Sequence, residues 1–283
     1  MMRSVGARML FCAAVAAAVG CAAARTTPRP APPDRQALLA LVSEVQDADY
    51  RGDLTRLRSV YHAMAPYTSD PELARAARYW RGFAMWRRAL NALNALNDGG
   101  SADSVDRDVA ASIDEYRAAL ALDSSYVEAK IGLAAGLGNR AYFARGDTAR
   151  AFAYVREAAS LLRALRQDAP DNPRMLFVYG AQHYWTPPAF GGSREGAIAL
   201  VEDHLRAGPA GPPPSDLLEP RWGEAELHMI VAFFIANMPQ PDLDAAERHA
   251  RAALAAVPHW HYVRDVLVPQ IERQRGAGGE GGA

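Results

Sequence analysis

Leu137-Gly138-Asn139-Arg140-Ala141-Tyr142-Phe143-Ala144-Arg145-Gly146-Asp147, followed by Ala151, Val155 and Ala158, decides how this chain folds. The stretch reads as one helix, a turn at Gly146-Asp147, and a second helix returning beside the first. Small residues at Ala151 and Ala158 let the two helices approach closely, and Val155 is placed to fill the space toward the next pair. Nothing from Asp34 onward alternates apolar and polar residues for long enough to make a strand. Helical spacing occurs instead, in Leu38, Leu41, Val42 and Val45 and again in Leu227, Ile230, Val231, Phe234 and Met238. Asp70 before Pro71 and Asn172 before Pro173 place a capping side chain ahead of a proline suited to the first helical turn.

The same pattern recurs along the chain. Ile113-Asp114-Glu115-Tyr116-Arg117-Ala118-Ala119-Leu120-Ala121-Leu122-Asp123 repeats the second helix, with Ser124 after it. Asp242-Leu243-Asp244-Ala245-Ala246 leads to Ala250, Ala253 and Pro258. Gly191-Gly192-Ser193-Arg194-Glu195-Gly196-Ala197-Ile198 opens another, with His204 at a position suited to a small residue, and Arg51-Gly52-Asp53-Leu54 is a turn of the same kind. In these residues the chain resembles the tetratricopeptide (TPR) repeat family, with one extra residue around Arg140. The resemblance implies an all-α, right-handed superhelical stack of about five hairpins, at 34–65, 71–123, 125–169, 173–206 and 217–257. A closing helix is expected from Pro258 to Arg273. Gly99-Gly100 and Gly208–Pro214 read as loops within a domain spanning 34–273, and 274–283 reads as a disordered tail.

The N-terminus reads as an export signal over 1–20. Arg3 and Arg8 precede an apolar run from Met9 to Val19, too short to span a bilayer. Ala18-Val19-Gly20-Cys21 resembles the lipobox of bacterial lipoproteins, which implies cleavage before Cys21 and its acylation. A plain signal peptide cleaved nearby is the competing reading. Residues 21–33, rich in Ala, Thr, Arg and Pro, form a tether. On this reading Cys12 is discarded and Cys21 is the anchor, so the mature domain has no thiol for a disulfide, a metal or nucleophilic catalysis. Ala22 after the anchor implies the outer membrane, facing the periplasm. The formal charge of −1 across 283 residues gives no broad field toward nucleic acid.

No catalytic, metal or cofactor site is expected. Glu224 and His228 lie one helical turn apart and His259 and His261 form a second cluster, but zinc needs three or four converging ligands. Ser193 lacks a nucleophile elbow, and Gly136-x-Gly138 lacks the rest of a dinucleotide fingerprint. Lys130 is the sole lysine and lies in no phosphate-loop motif. The TPR resemblance implies that the first helices line a concave face, giving Arg140, Gln182, His183, Tyr184, Glu226 and His228 as candidate binding residues, with Asn139 beside them. Arg140 would meet a carboxylate. The loop with Trp185 and Phe190 has two readings. Its aromatics pack over the hairpin end while Gly191-Gly192 permits a tight entry to the next helix, or they rim a groove shared with the first helices. The expected function is a non-enzymatic envelope scaffold holding a protein or peptide partner. The alternative is a solute-binding accessory similar to the T component of TRAP transporters, which the aromatic loop and its Gly-Gly entry also resemble.

Overall fold

A computed structural model describes residues 34–94, 102–144 and 146–280. Those residues contain eleven α-helices and no strand. The helices are α1 (Arg35–Arg51), α2 (Leu54–Ala63), α3 (Ala74–Asn94), α4 (Ala102–Leu122), α5 (Val127–Phe143), α6 (Thr148–Asp168), α7 (Pro173–Trp185), α8 (Arg194–Ala207), α9 (Glu224–Ala236), α10 (Leu243–Ala256) and α11 (Val268–Glu280). Short polar side chains start many of them. Asp53, Asp147, Ser193 and Asp242 each accept the backbone N–H three residues on, and Asn172 accepts from Arg174 and Met175. Gly52 closes α1 in the left-handed region, at φ 69°. Cys21, the tether and Gly99-Gly100 lie outside the described residues.

Two expectations about the C-terminus need correction. The closing helix does not begin at Pro258; a π-helical turn over Tyr262–Leu267 leads into α11. Nor does order end at Arg273, since α11 runs to Glu280. Gln274 donates to the carbonyl of Ala236, and Arg275 reaches Glu247 and Asp244 at 2.7 and 2.6 Å, so these side chains hold the helix against α9 and α10.

The helices form two layers. The odd-numbered ones from α1 to α9 pack on one another, and the even-numbered ones from α2 to α10 pack outside them. Composition explains the division: α9 is apolar around nearly its whole circumference and buried accordingly, whereas α10 buries one stripe, Ala245, Ala246, Ala250 and Ala253. Ala158, Ala246 and Ala253 are fully buried at helix contacts, as the repeat pattern predicts. Ala151 is only half-buried and Val155 is exposed, so the N-terminal half of α6 does not pack on a neighbour as expected. Tyr116 of α4 inserts between α3 and α5, where Gly82 and Gly132 leave room for its ring.

The connection from α8 to α9 crosses the inner layer. Trp80 donates to the carbonyl of Leu218 at 2.7 Å, Arg75 pairs with Glu219 at 2.7 Å, and Arg35 pairs with Asp216. Trp222 is buried against Phe83, Trp86 and Phe177, and its indole N–H donates to Tyr79. The start and end of the array also touch: Tyr50 donates to Glu226 at 2.8 Å and meets Trp260 edge-on, and His259 pairs with Asp47. The inner face is therefore occupied by the chain's own side chains.

Candidate functional site

The structure disperses the binding residues expected on the inner face. Glu226 is 1% exposed; besides Tyr50 it accepts from its own helix's Gly223 N–H, so it serves as an internal brace. Burial raises its pKa, opposed by the nearby Arg87 charge and the bond from Tyr50. Tyr184 is also interior: its ring stacks on Phe234 at 4.2 Å and its hydroxyl reaches the carbonyls of Phe234 and Asn237. Asn139 accepts from the indole of Trp86. Arg140 pairs with Asp106 at 3.2 Å and donates to Tyr154, which spends its charge in joining α5 to its neighbours.

Trp185 and Phe190 are 61% and 75% exposed, so they do not pack over the hairpin end. Trp185 keeps only peripheral ring contacts, with Tyr184 and Phe233. The glycine reasoning does hold there: Gly191 has φ 85°, and a Cβ on Gly192 would strike the carbonyl of Thr186. His228 faces His249, Nδ1 to Nδ1 at 3.0 Å, while Glu224 pairs with His204 and His261 with Asp265. Among the described residues no three His, Cys, Asp or Glu side chains are placed to hold a metal ion. Among the described residues, Arg140, Tyr184 and Glu226 are engaged by internal partners while Trp185 and Phe190 stand exposed, so these side chains do not converge on one another.

An open trough lies elsewhere: it begins along α6 and α7 and continues between α6 and α8 over a floor from α7. It consists of two adjoining hollows that share Arg166 and Tyr179. The first, about 460 Å³, is lined by Ala159, Leu162, Arg163, Arg166, Gln167, Tyr179 and Gln182. The second, about 560 Å³, has an apolar bed of Met175, Leu176 and Leu200, with Asp171, Asp203 and His204 at its margin. His183 stacks flat on Tyr179, behind the first hollow. Of the residues expected from the sequence to bind, Gln182 alone lines this trough.

The trough persists because this gap lacks a strut. Elsewhere the outer layer is bridged: Tyr61 to Glu115 between α2 and α4, Arg117 to Glu157 between α4 and α6, and Glu202 to His249 between α8 and α10. No ion pair or hydrogen bond joins α6 to α8 among the described residues. One face of α6 carries Phe152, Val155, Ala159, Arg163 and Arg166 at three- and four-residue spacing, apolar in its first part and basic in its last. That stripe was the available sequence signal, and it was missed because a helix face mixing arginine with apolar residues also suits an ordinary surface. Arg166 donates to the Tyr179 hydroxyl at 3.0 Å and lies over its ring at 4.7 Å, which fixes the guanidinium beside the first hollow. The groups on display are guanidinium, amide, phenol and carboxylate, suited to recognising a polar chain. No protein-family model, no curated protein and no solved structure matches the chain.

Proposed function

We propose that this chain is a non-enzymatic interaction protein that holds a polypeptide partner in the trough between α6 and α8. The carrying observation is the trough itself, the one unbridged gap between successive outer helices among the described residues, with polar groups directed into it. We further propose that the helix pairs are TPR-like repeats in a superhelical array, tethered to the envelope through an acylated Cys21. The buried Ala158, Ala246 and Ala253 and the capped hairpin turns support the repeat register. TPR arrays are expected to bind on the concave face; here that face is filled, which moves the binding surface outward.

A second reading is a solute-binding accessory similar to the T component of TRAP transporters. The hollows have volumes within the range of small-molecule pockets, about 300–1,000 Å³. Both stand half open to solvent and run together, which suits a chain better than an enclosed solute. Affinity purification of the wild-type protein and of an Arg163→Glu/Arg166→Glu variant from the native envelope tests the proposal. Protein partners should be retained by the wild type, lost by that variant, and kept by an Arg58→Glu control on α2. Partners that survive reversal of the trough charges would overturn it.

A further inference from the structure

The two hollows differ in charge. The first has Arg163 and Arg166 on its wall and no carboxylate in its lining. Arg163 makes no ion pair or hydrogen bond among the described residues, and Arg166 uses Nη1 on Tyr179 and leaves its remaining N–H groups unengaged. The second hollow has Asp171 and Asp203 and adjoins the first at Arg166. Asp171 makes no ion pair among the described residues; Asp203 meets Arg206 only in an exposed pair, which solvent screens.

We infer that the trough takes an extended polypeptide segment of segregated charge, with acidic side chains beside Arg163 and Arg166, apolar ones over Leu176 and Leu200, and basic ones at Asp171 and Asp203. This rests on the reading of the trough as the binding surface. Three physical features select such an occupant. Guanidinium groups bind carboxylates through parallel N–H donors, and Arg166 is already oriented. The amides of Gln167 and Gln182 offer both a donor and an acceptor, which matches a peptide backbone. From Ala159 to Gln167 the wall runs nine residues of helix, a rise of roughly 12 Å, enough for about four extended residues before the second hollow begins.

The test uses the purified full chain and three fluorescein-labelled ten-residue peptides with blocked ends, read by anisotropy. One has glutamates at one end, leucines in the middle and lysines at the other; the second is acidic at both ends and the third basic at both. The segregated peptide should bind at least about tenfold more tightly than either control, a gap that narrows as salt rises. Arg163→Glu/Arg166→Glu should transfer the preference to the basic peptide, and Asp171→Arg/Asp203→Arg to the acidic one. Circular dichroism confirms that each variant is folded. Equal binding of the three peptides, or variants that leave the preference unchanged, would overturn the inference. If charge pattern proves irrelevant while envelope partners still depend on Arg163 and Arg166, the segregated-charge occupant falls and the binding surface stands. If no peptide binds and partners ignore those arginines, both fall.

Discussion

Gly132→Ala is a sharp test of how the two helix layers interlock. Tyr116 is fully buried, its ring lying against Gly132 on one inner helix and Gly82 on another. A Cβ at position 132 would stand 2.7 Å from Cε2 of Tyr116 and nearer still to Cζ and Cε1, short of ordinary contact, which begins at 3.4 Å, by at least about 0.7 Å. The ring has little room to retreat. A Cβ at Gly82 would also meet it, at 2.8 Å, and Tyr79 lies 5.8 Å from it, centroid to centroid. Overpacking of this kind costs about 1–3 kcal/mol, against a gain of about 1 kcal/mol from replacing a helical glycine by alanine. The net should be a loss of up to about 2 kcal/mol, which at this chain length lowers Tm by up to about 8 °C. Gly138→Ala, on the same helix but with nothing within 4 Å of its added Cβ, is the control. It should raise stability by about 0.4–1 kcal/mol. Thermal and urea unfolding followed by circular dichroism give both values. If Gly132→Ala is as stable as Gly138→Ala, Tyr116 is not wedged between those helices and the layer packing described above is wrong.

Tyr184 and Trp185 are adjacent yet should behave oppositely: Tyr184→Ala removes a buried stacked ring and should cost about 3–5 kcal/mol, while Trp185→Ala should cost under about 1 kcal/mol, both read by urea unfolding. His228 is held below its ordinary pKa of 6.5 by burial and the facing His249, and His249 is held below its own by burial. The unfolded chain therefore takes up protons first, and stability should fall as pH drops below about 6.5. Glu226, its pKa raised by burial, acts in the opposite sense: its contribution to stability grows as pH falls through its raised folded value. A His228→Gln/His249→Gln variant should show a shallower loss of Tm between pH 7.5 and 5.5; an unchanged slope would refute the assignment. Cys21→Ser should move the protein from the membrane to the soluble fraction, and retention there would contradict the lipoprotein reading.

The helical class and most helix starts were legible because they depend on local chemistry. Asp53, Asp147, Asn172, Ser193 and Asp242 cap wherever the chain offers them a following helix. The small residues at Ala158, Ala246 and Ala253 were legible for the same reason. The site was not, because it depends on contacts distant in sequence. Gly208–Pro214 reads as a loop, but nothing local indicates that Leu218 and Trp222, just beyond it, would cover the inner helices at Trp80 and Tyr79. Once that face is filled, polar residues such as Glu226 become internal braces, and a tyrosine such as Tyr184 becomes core. Val155 shows the converse: a position that packs in a regular array is left exposed where α6 and α8 stand apart. Burial of Arg87 against Asp49 at 2.7 Å is likewise invisible to periodicity, since arginine on a helix defaults to the surface.

The central claim is that binding takes place in the outer trough and not on the inner face, which the α8–α9 connection covers. Site-specific photo-cross-linking measures this directly: a photoreactive residue is placed in living cells at Gln182 on the trough floor, at Asn139 on the inner layer, and at Arg58 on α2. The account predicts that a discrete, larger adduct containing a second polypeptide forms from position 182 and not from 139 or 58, and that it disappears with Arg163→Glu/Arg166→Glu. An adduct from position 139 with none from 182 would contradict the account and return the binding surface to the inner face.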